Sequence, residues 1–184
     1  MNNIVKTGSK YNVYGEDLQT FKKLPALFYK LKFSELSGLF LETINDLSVN
    51  EKIYGDTPQK VQKVLNTFES IDRNLGVILS GEKGCGKSLF IKELSIKAKE
   101  KDIPVIIVSE MLPDLPDFIS SIEQEAIIIF DEFEKTFSND NKNGATDQEQ
   151  LLSLFDGIDC GKKLFVISCN ETNKLSEYFL NRPR

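Results

Sequence analysis

The sequence predicts an α/β fold in which a parallel sheet lies between two layers of helices, a three-layer sandwich. Four short runs rich in isoleucine and valine predict it, at residues 75–80, 104–109, 126–131 and 164–169. Each run is separated from the next by a segment long enough for a helix. Runs that are apolar throughout are typical of parallel strands, because crossover helices cover both faces of such a sheet.

The part of the chain before these runs predicts a different organisation. Residues 1–56 are predicted to form a small, β-rich N-terminal extension, and residues 57–184 the core domain. The side chains alternate in character between Leu27 and Phe33, which predicts one strand. The run LFLETI, which follows Gly38, predicts a second strand.

A helix is predicted to open the core domain, with Thr57 as its cap and Pro58 in its first turn. Apolar residues then recur at helical spacing, at Val61, Val64, Leu65 and Phe68. Much further along, residues 138–148 are polar throughout, which predicts a surface loop.

The composition is that of a globular protein, with 40% hydrophobic and 28% charged residues. The net charge of −5 gives no overall positive field to hold a nucleic acid, although a local basic patch is compatible with it. The chain has no histidine, and its three cysteines include no C-x-x-C pair, which excludes a zinc site and a histidine-based triad. We find neither a signal peptide nor a membrane-spanning apolar run, so a cytoplasmic location is expected.

The first apolar run leads into GEKGCGKS at residues 81–88, which has the G-x-x-x-x-G-K-[ST] spacing of a phosphate-binding loop. Glycines let successive backbone N–H groups face the phosphates, and the following helix favours an anion at its N-terminus. Lys87 is predicted to reach the β- and γ-phosphates, and the Ser88 hydroxyl to bind Mg²⁺. The motif predicts a P-loop NTPase fold with a nucleotide site formed by Gly81, Glu82, Lys83, Gly84, Cys85, Gly86, Lys87, Ser88 and Leu89.

The third apolar run ends in two acidic residues, Asp131 and Glu132. In a parallel sheet of this kind, the carboxyl end of such a strand lies beside the phosphate loop. Asp131 is predicted to hold Mg²⁺, mostly through water, and Glu132 to polarise the attacking water. A water-activating glutamate favours ATP hydrolysis over a small-molecule kinase, which transfers the phosphate to a bound hydroxyl.

The order of the motifs GEKGCGKS, IIIFDE, LLSLFDG, FVISCN and FLNRPR resembles the AAA+ ATPases, close to the AAA clade. The resemblance implies that Asn170, at the tip of the fourth run, is the polar residue called sensor 1, which orients water near the γ-phosphate. It also implies that Tyr54 and Gly55 lie where the family packs the adenine. LLSLFDG is similar to the helix before the sensor strand, and it is equally consistent with an ordinary amphipathic helix ended by Gly157.

The final stretch FLNRPR contains two arginines, Arg182 and Arg184. By resemblance to the AAA clade, they imply arginine fingers that reach the γ-phosphate of a neighbouring subunit in a homo-oligomeric ring, expected to be a hexamer. The family spaces its two arginines three apart, whereas here only Pro183 separates them, so either arginine can be the finger. A solvated basic tail is the alternative. The resemblance also implies a fifth strand and a helical lid after Arg184, so the chain is expected to be a truncated subunit.

These features predict a subunit that binds ATP and Mg²⁺ and hydrolyses ATP in a ring that remodels a macromolecular partner. One alternative is a nucleotide-binding interaction module with negligible turnover, which a turnover measurement at saturating ATP distinguishes. Another is a loader-type P-loop ATPase associated with DNA, which DNA binding at low and raised salt distinguishes. Residues 109–118 contain no aromatic-x-glycine of the kind that unfoldases use to thread proteins, so the macromolecular substrate is not predicted.

Overall fold

The computed structural model describes residues 2–45, 55–137, 147–156 and 161–176. Its strands are β1 (Asn3–Thr7), β2 (Lys10–Tyr14), β3 (Phe28–Ser34), β4 (Gly38–Thr43), β5 (Leu75–Ser80), β6 (Val105–Val108), β7 (Ala126–Phe130) and β8 (Lys163–Cys169). Its helices are α1 (Thr57–Ser70), α2 (Lys87–Glu100), α3 (Leu115–Ser120), α4 (Phe133–Thr136) and α5 (Asp147–Asp156), followed by a 3-10 turn at Thr172–Lys174. Within these ranges, a helix with both the length and the apolar character of a membrane span is absent.

The central sheet contains six strands in the order β4-β3-β6-β7-β8-β5. Neighbouring strands from β3 to β5 pair in parallel, and β4 pairs antiparallel with β3. The four predicted parallel strands are therefore confirmed, together with the predicted α/β fold. The sheet is wider than those four strands because β3 and β4, which precede them in the chain, extend it beyond β6.

Helices cover the sheet on both faces. Leu65 of α1 and Leu94 of α2 belong to the same buried cluster as Ile127 of β7. Ile128, the next residue of β7, belongs to a second cluster, which contains Phe133 of α4 and side chains from α3 and α5. Since successive residues of a strand point to opposite faces, this division gives the predicted three layers.

The N-terminal segment contributes to two sheets. β1 and β2 form a separate antiparallel hairpin whose residues are nearly all exposed. β3 and β4 correspond to the two strands predicted between Leu27 and Ile44, and they belong to the central sheet. The division into an extension and a core at residue 56 stays a prediction.

The cap of α1 differs from the predicted one. Asp56 is the N-cap residue, Thr57 is already inside the helix, and Pro58 lies in the first turn as predicted. The Lys60 N–H donates to the Asp56 carbonyl oxygen at 3.0 Å, which closes the first helical turn one residue earlier than predicted. The Asp56 carboxylate makes no cap hydrogen bond and pairs with the Lys60 ammonium at 3.1 Å instead.

The polar stretch predicted as a loop is helical at its end. Residues 138–146 lie outside the described ranges, but Asp147 and Gln148 belong to α5. The Gln148 side chain is buried, donates to the carbonyl oxygens of Phe137 and Lys174, and accepts from the Ser176 N–H. Composition predicted a loop here because a buried glutamine that satisfies its own hydrogen bonds looks polar in the sequence.

Lys162, which lies just before β8, binds carbonyl groups at the C-terminal end of α1. Its Nζ donates to the carbonyl oxygens of Phe68 at 3.0 Å and Ile71 at 3.3 Å, lies over the Phe68 ring, and pairs with Glu125 at 2.9 Å. Lys162→Met keeps most of the stem but leaves these carbonyls unpaired. We expect the free energy of unfolding, measured by urea denaturation, to fall by about 1–3 kcal/mol.

Lys101→Met is the matched control for this prediction. Lys101 pairs with Glu69 at 2.5 Å, and its side chain is 33% exposed, against 13% for Lys162. An exposed ion pair contributes little, so this variant is expected to lose less than about 1 kcal/mol. Equal losses in the two variants would show that the carbonyl contacts of Lys162 add nothing to stability.

Candidate active site

The predicted chemical groups meet in a pocket at the carboxyl ends of the parallel strands. The pocket has a volume of about 460 Å³. It is lined by Lys83, Gly84, Gly86, Lys87, Ser88, Leu89, Asp131, Glu132, Ser168 and Asn170. Three separate stretches of the chain supply these residues: the turn from β5 to α2, the end of β7 and the end of β8. A cleft beyond the strand ends is where open α/β sheets bind their ligands.

The loop between β5 and α2 has a backbone that glycine permits. Gly84 and Gly86 have φ values of 84° and 91°, in the left-handed region that side chains disfavour. Gly86 is the N-cap of α2, and its carbonyl oxygen accepts from the Phe90 N–H at 2.9 Å. The N-terminus of this 14-residue helix therefore opens into the pocket, where its unpaired N–H groups favour an anion.

Lys87 is the first residue of α2, and its ammonium group turns back over the loop. Nζ donates to the carbonyl oxygens of Gly81 at 2.5 Å and Glu82 at 3.0 Å. It also donates to Oδ1 of Asn170 at 2.9 Å, which links the loop to the tip of β8. An ammonium has three donors and no acceptor, so phosphate oxygens can take the place of the loop carbonyls.

Asp131 follows the last residue of β7, and its carboxylate is held by the neighbouring strand. Ser168 of β8 is buried, and its Oγ donates a short hydrogen bond to Oδ1 of Asp131. The Glu132 N–H donates to Ser168 Oγ at 3.0 Å and to Asp131 Oδ1 at 3.1 Å. Ser168 is not among the predicted site residues, although its position two residues before Asn170 places both side chains on the same face of the strand end.

Glu132 occupies a backbone conformation that is uncommon for a residue with a side chain. Its φ is 47° and its ψ is 47°, in the left-handed region. Its carboxylate pairs with the ammonium of Lys135, one turn later, and both side chains are about half exposed. The hydrogen bond to Glu132 is the main reason that the pKa of Lys135 lies above its usual value. Glu132 lines the pocket together with Asp131.

Asn170 lies just beyond β8, between a cation and an anion. Its backbone N–H and its Nδ2 both donate to Oε1 of Glu134 at 2.9 Å, while its Oδ1 accepts from Lys87. Burial alone would raise the pKa of the Glu134 carboxyl, but the hydrogen bonds from Asn170 and from its own N–H, with the charge of Lys135, outweigh it and lower the pKa. Glu134, too, is not among the predicted site residues.

The oxygen donors of the pocket fit the magnesium ion that the phosphate loop implies. Ser88 offers a hydroxyl and Asp131 a carboxylate, and both line the pocket. Mg²⁺ keeps several water ligands and commonly takes one or two protein oxygens beside the substrate phosphates. Within the described residues, no group of three or more histidine, cysteine, aspartate or glutamate side chains is arranged to hold a metal. A two-ligand site completed by water and phosphate is compatible with that finding.

Not every predicted site residue that the structure describes lines the pocket. Gly55 is exposed, has a φ of 86°, and is not among the residues that line the pocket. Cys85 is exposed on the loop, near the Lys87 ammonium. Tyr54, Arg182 and Arg184 lie outside the described residues, so their roles stay predictions.

The sequence of this chain is similar to those of known proteins. A sequence model described as "ATPase family associated with various cellular activities (AAA)" matches residues 77–184, more than half of the chain. An "ATPase family protein 2 homolog" of Caenorhabditis elegans is 28% identical over 76% of this chain and 22% of its own length. An "AAA ATPase forming ring-shaped complexes" of Corynebacterium jeikeium is 22% identical over 95% of this chain and 40% of its own length.

Solved structures of RuvB variants from Thermotoga maritima are also similar. One has a TM-score of 0.47 and 15% identity, covering 69% of this chain and 42% of its own. Another has a TM-score of 0.48 and 16% identity, covering 74% of this chain and 46% of its own. This chain spans less than half the length of each of these similar proteins.

The family match begins inside β5 and runs through every strand end that contributes to the pocket. It includes the phosphate loop, the acidic end of β7 and Asn170 in one continuous stretch. The family suggested by the order of the motifs is thereby confirmed, and this chain belongs to the AAA family, with the core domain of an AAA+ P-loop ATPase.

Proposed function

We propose that this chain binds ATP with Mg²⁺ in the pocket between β5, β7 and β8 and hydrolyses it. The observation that carries the proposal is the convergence of a cation, two carboxylates and an amide on one phosphate loop. Lys87, Asp131, Glu132 and Asn170 line the same pocket although they come from three separate parts of the sequence. Each residue type matches one requirement of phosphoryl transfer to water.

The phosphate loop and Lys87 bind the triphosphate in this proposal. Backbone N–H groups at the start of α2 face the β-phosphate, and the Lys87 ammonium exchanges the carbonyl oxygens of Gly81 and Glu82 for phosphate oxygens. The exchange costs little, since the two carbonyls belong to a loop that remains exposed to water. Neutralising phosphate charge with a positioned ammonium favours both binding and the transition state.

Ser88 and Asp131 would hold the magnesium ion. When bound, Mg²⁺ neutralises charge that develops on the phosphate oxygens. The Ser168 hydroxyl donates to Oδ1 of Asp131 and accepts from the Glu132 N–H, so it holds the carboxylate in one orientation. Ser168 is therefore a positioning residue for this metal ligand.

Glu132 and Asn170 would act on the attacking water. The water oxygen forms a bond to the γ-phosphorus while the bond from that phosphorus to the β–γ bridging oxygen breaks. The water proton passes to the Glu132 carboxylate, and ADP leaves with the bridging oxygen. Asn170 orients the water near the γ-phosphate through its amide. The Lys135 ammonium forms an ion pair with the Glu132 carboxylate. This ion pair must break when the carboxylate takes up the proton.

We propose further that the chain acts within a homo-oligomeric ring, in which Arg182 or Arg184 completes the site of a neighbour, and that the ring remodels a macromolecular partner. Membership of the AAA family supports this proposal. It is also supported by similarity across 95% of the chain to a relative that is named as forming ring-shaped complexes.

The binding step is tested with Lys87→Ala. The substitution removes the ammonium without changing the glycines of the loop, so ATP binding in the presence of Mg²⁺ is expected to be lost or severely weakened. Isothermal titration calorimetry with ATP and Mg²⁺ measures the dissociation constant. Lys92→Ala, at an exposed position on the same helix, is the control and is expected to bind as the wild type does. Unchanged affinity in Lys87→Ala would reject this pocket as the ATP site.

Turnover at saturating ATP separates an ATPase from a nucleotide-binding interaction module. The proposal expects hydrolysis that depends on Mg²⁺ and rises with protein concentration, because each site needs a neighbour. Tight binding of ATP with no turnover at any protein concentration would favour the interaction module.

A further inference from the structure

We propose that Glu134 is a positioning residue for ATP hydrolysis, which holds the Asn170 amide so that its oxygen faces Lys87. This inference rests on the proposed ATPase function. Glu134 belongs to α4, the short helix that follows the acidic end of β7, and it does not line the pocket. It reaches the site through its hydrogen bonds with Asn170.

The contact between Glu134 and Asn170 is specific in its geometry. One carboxylate oxygen, Oε1, accepts both the backbone N–H and the side-chain Nδ2 of Asn170, each at 2.9 Å. Two hydrogen bonds to the same residue fix the backbone at the end of β8 and the rotation of the side chain together. A single contact to the side chain would leave the backbone free to move.

The charges on either side determine which way the amide points. A carboxylate only accepts hydrogen bonds, so it selects the amino group of Asn170, and a lysine only donates, so it selects the amide oxygen. Asn170 is therefore aligned between the anion of Glu134 and the cation of Lys87. If phosphate draws Lys87 away, Glu134 is the contact that keeps the amide in its orientation.

The second oxygen of Glu134 argues for more than a structural role. Among the described residues, Oε2 is the one buried side-chain polar atom that lacks a hydrogen-bond partner. Glu134 is half-buried, and a charged oxygen that is buried without a partner is destabilising, a cost that a neutral side chain would reduce. Hydrogen bonds from Asn170 nevertheless keep the pKa of Glu134 low, so the group stays charged at neutral pH.

Glu134→Ala tests the inference, with Glu171→Ala as its matched control. Glu171 is adjacent to Asn170 in sequence, but its carboxylate pairs with Lys174 on the surface. In Glu134→Ala we expect turnover at saturating ATP to fall by roughly 100-fold, because a small misplacement of a positioning group has that effect. The dissociation constant for ATP is expected to stay within about threefold of the wild-type value, since the contacts that bind ATP before the reaction are not affected. Glu134→Gln, whose oxygen can still accept both bonds, is expected to lose less.

A double-mutant comparison separates positioning from general damage. If Glu134 acts through Asn170, the variant Asn170→Ala/Glu134→Ala should turn over at the same rate as Asn170→Ala alone. Additive losses would overturn the inference. Thermal unfolding checks that each variant is folded. If Glu134→Ala is not folded, Glu134→Gln takes its place in the comparison.

A second measurement does not depend on turnover. Hydrogen exchange of the Asn170 backbone and Nδ2 protons, followed by NMR on labelled protein, is expected to be faster in Glu134→Ala and unchanged in Glu171→Ala. If the wild type hydrolyses no ATP, the proposed function fails, and hydrogen exchange alone then tests whether Glu134 positions Asn170. If the wild type hydrolyses ATP and Glu134→Ala matches Glu171→Ala in both turnover and exchange, only the positioning inference is overturned.

Discussion

Replacing Glu132 with glutamine is expected to leave ATP binding intact and to lower turnover roughly 100- to 10,000-fold. Glutamine keeps the size of the side chain and one acceptor oxygen but cannot take a proton from water. The backbone conformation of Glu132 is held by Ser168 and by α4, so the phosphate loop should remain as it is. Calorimetry with ATP and Mg²⁺ measures the binding, and release of phosphate at saturating ATP measures the turnover.

Lys135→Ala separates proton transfer from the ion pair that Glu132 makes. It removes the partner of Glu132 but leaves the carboxylate. Since the pair is half exposed, its loss is expected to change turnover by only a few-fold, because exposed ion pairs contribute little. If turnover fell as far in Lys135→Ala as in Glu132→Gln, the loss would come from the broken ion pair and not from the missing general base. A loss of only a few-fold in Glu132→Gln would reject Glu132 as the activating residue.

The parts of the fold that the sequence predicts well are those whose pattern is local. Residues 126–130 are apolar without exception, and a buried parallel strand is the simplest structure that uses every one of them. The glycine spacing of residues 81–88 predicts the turn between β5 and α2, because glycine permits the left-handed conformations that Gly84 and Gly86 adopt. Local patterns of this kind need no knowledge of what lies next to them in space.

The parts that the sequence does not predict depend on contacts between distant segments. β3 was predicted as a strand, but its parallel pairing with β6, Phe28 opposite Val105, follows from how the sheet assembles. Glu134 is a charged residue in an acidic stretch and looks exposed in the sequence. It reaches Asn170 because Glu132 turns the chain through a left-handed conformation at the end of β7. Neither the left-handed turn at Glu132 nor the contact between Glu134 and Asn170 can be inferred from residue spacing.

Removing the finger arginine is expected to have the largest effect on catalysis. An arginine supplied by a neighbouring subunit accelerates phosphoryl transfer by about 10³–10⁵-fold, which corresponds to about 4–7 kcal/mol of activation free energy. Arg182→Ala and Arg184→Ala are compared in protein that assembles. One of the two substitutions is expected to abolish most turnover while ATP affinity stays near the wild-type value. Equal, small effects of both substitutions would indicate a solvated basic tail.

Mixing two inactive variants tests whether the arginine acts across a subunit boundary. A subunit with Glu132→Gln lacks its own activating residue but still offers its arginines to a neighbour, while the arginine variant keeps Glu132. Under subunit exchange, an interface between an intact Glu132 site and an intact arginine therefore contains every group that the reaction needs. We expect activity to reappear in the mixture and to depend on the mixing ratio. If both groups acted within one subunit, each subunit in the mixture would still lack one of them, so no activity would return at any ratio.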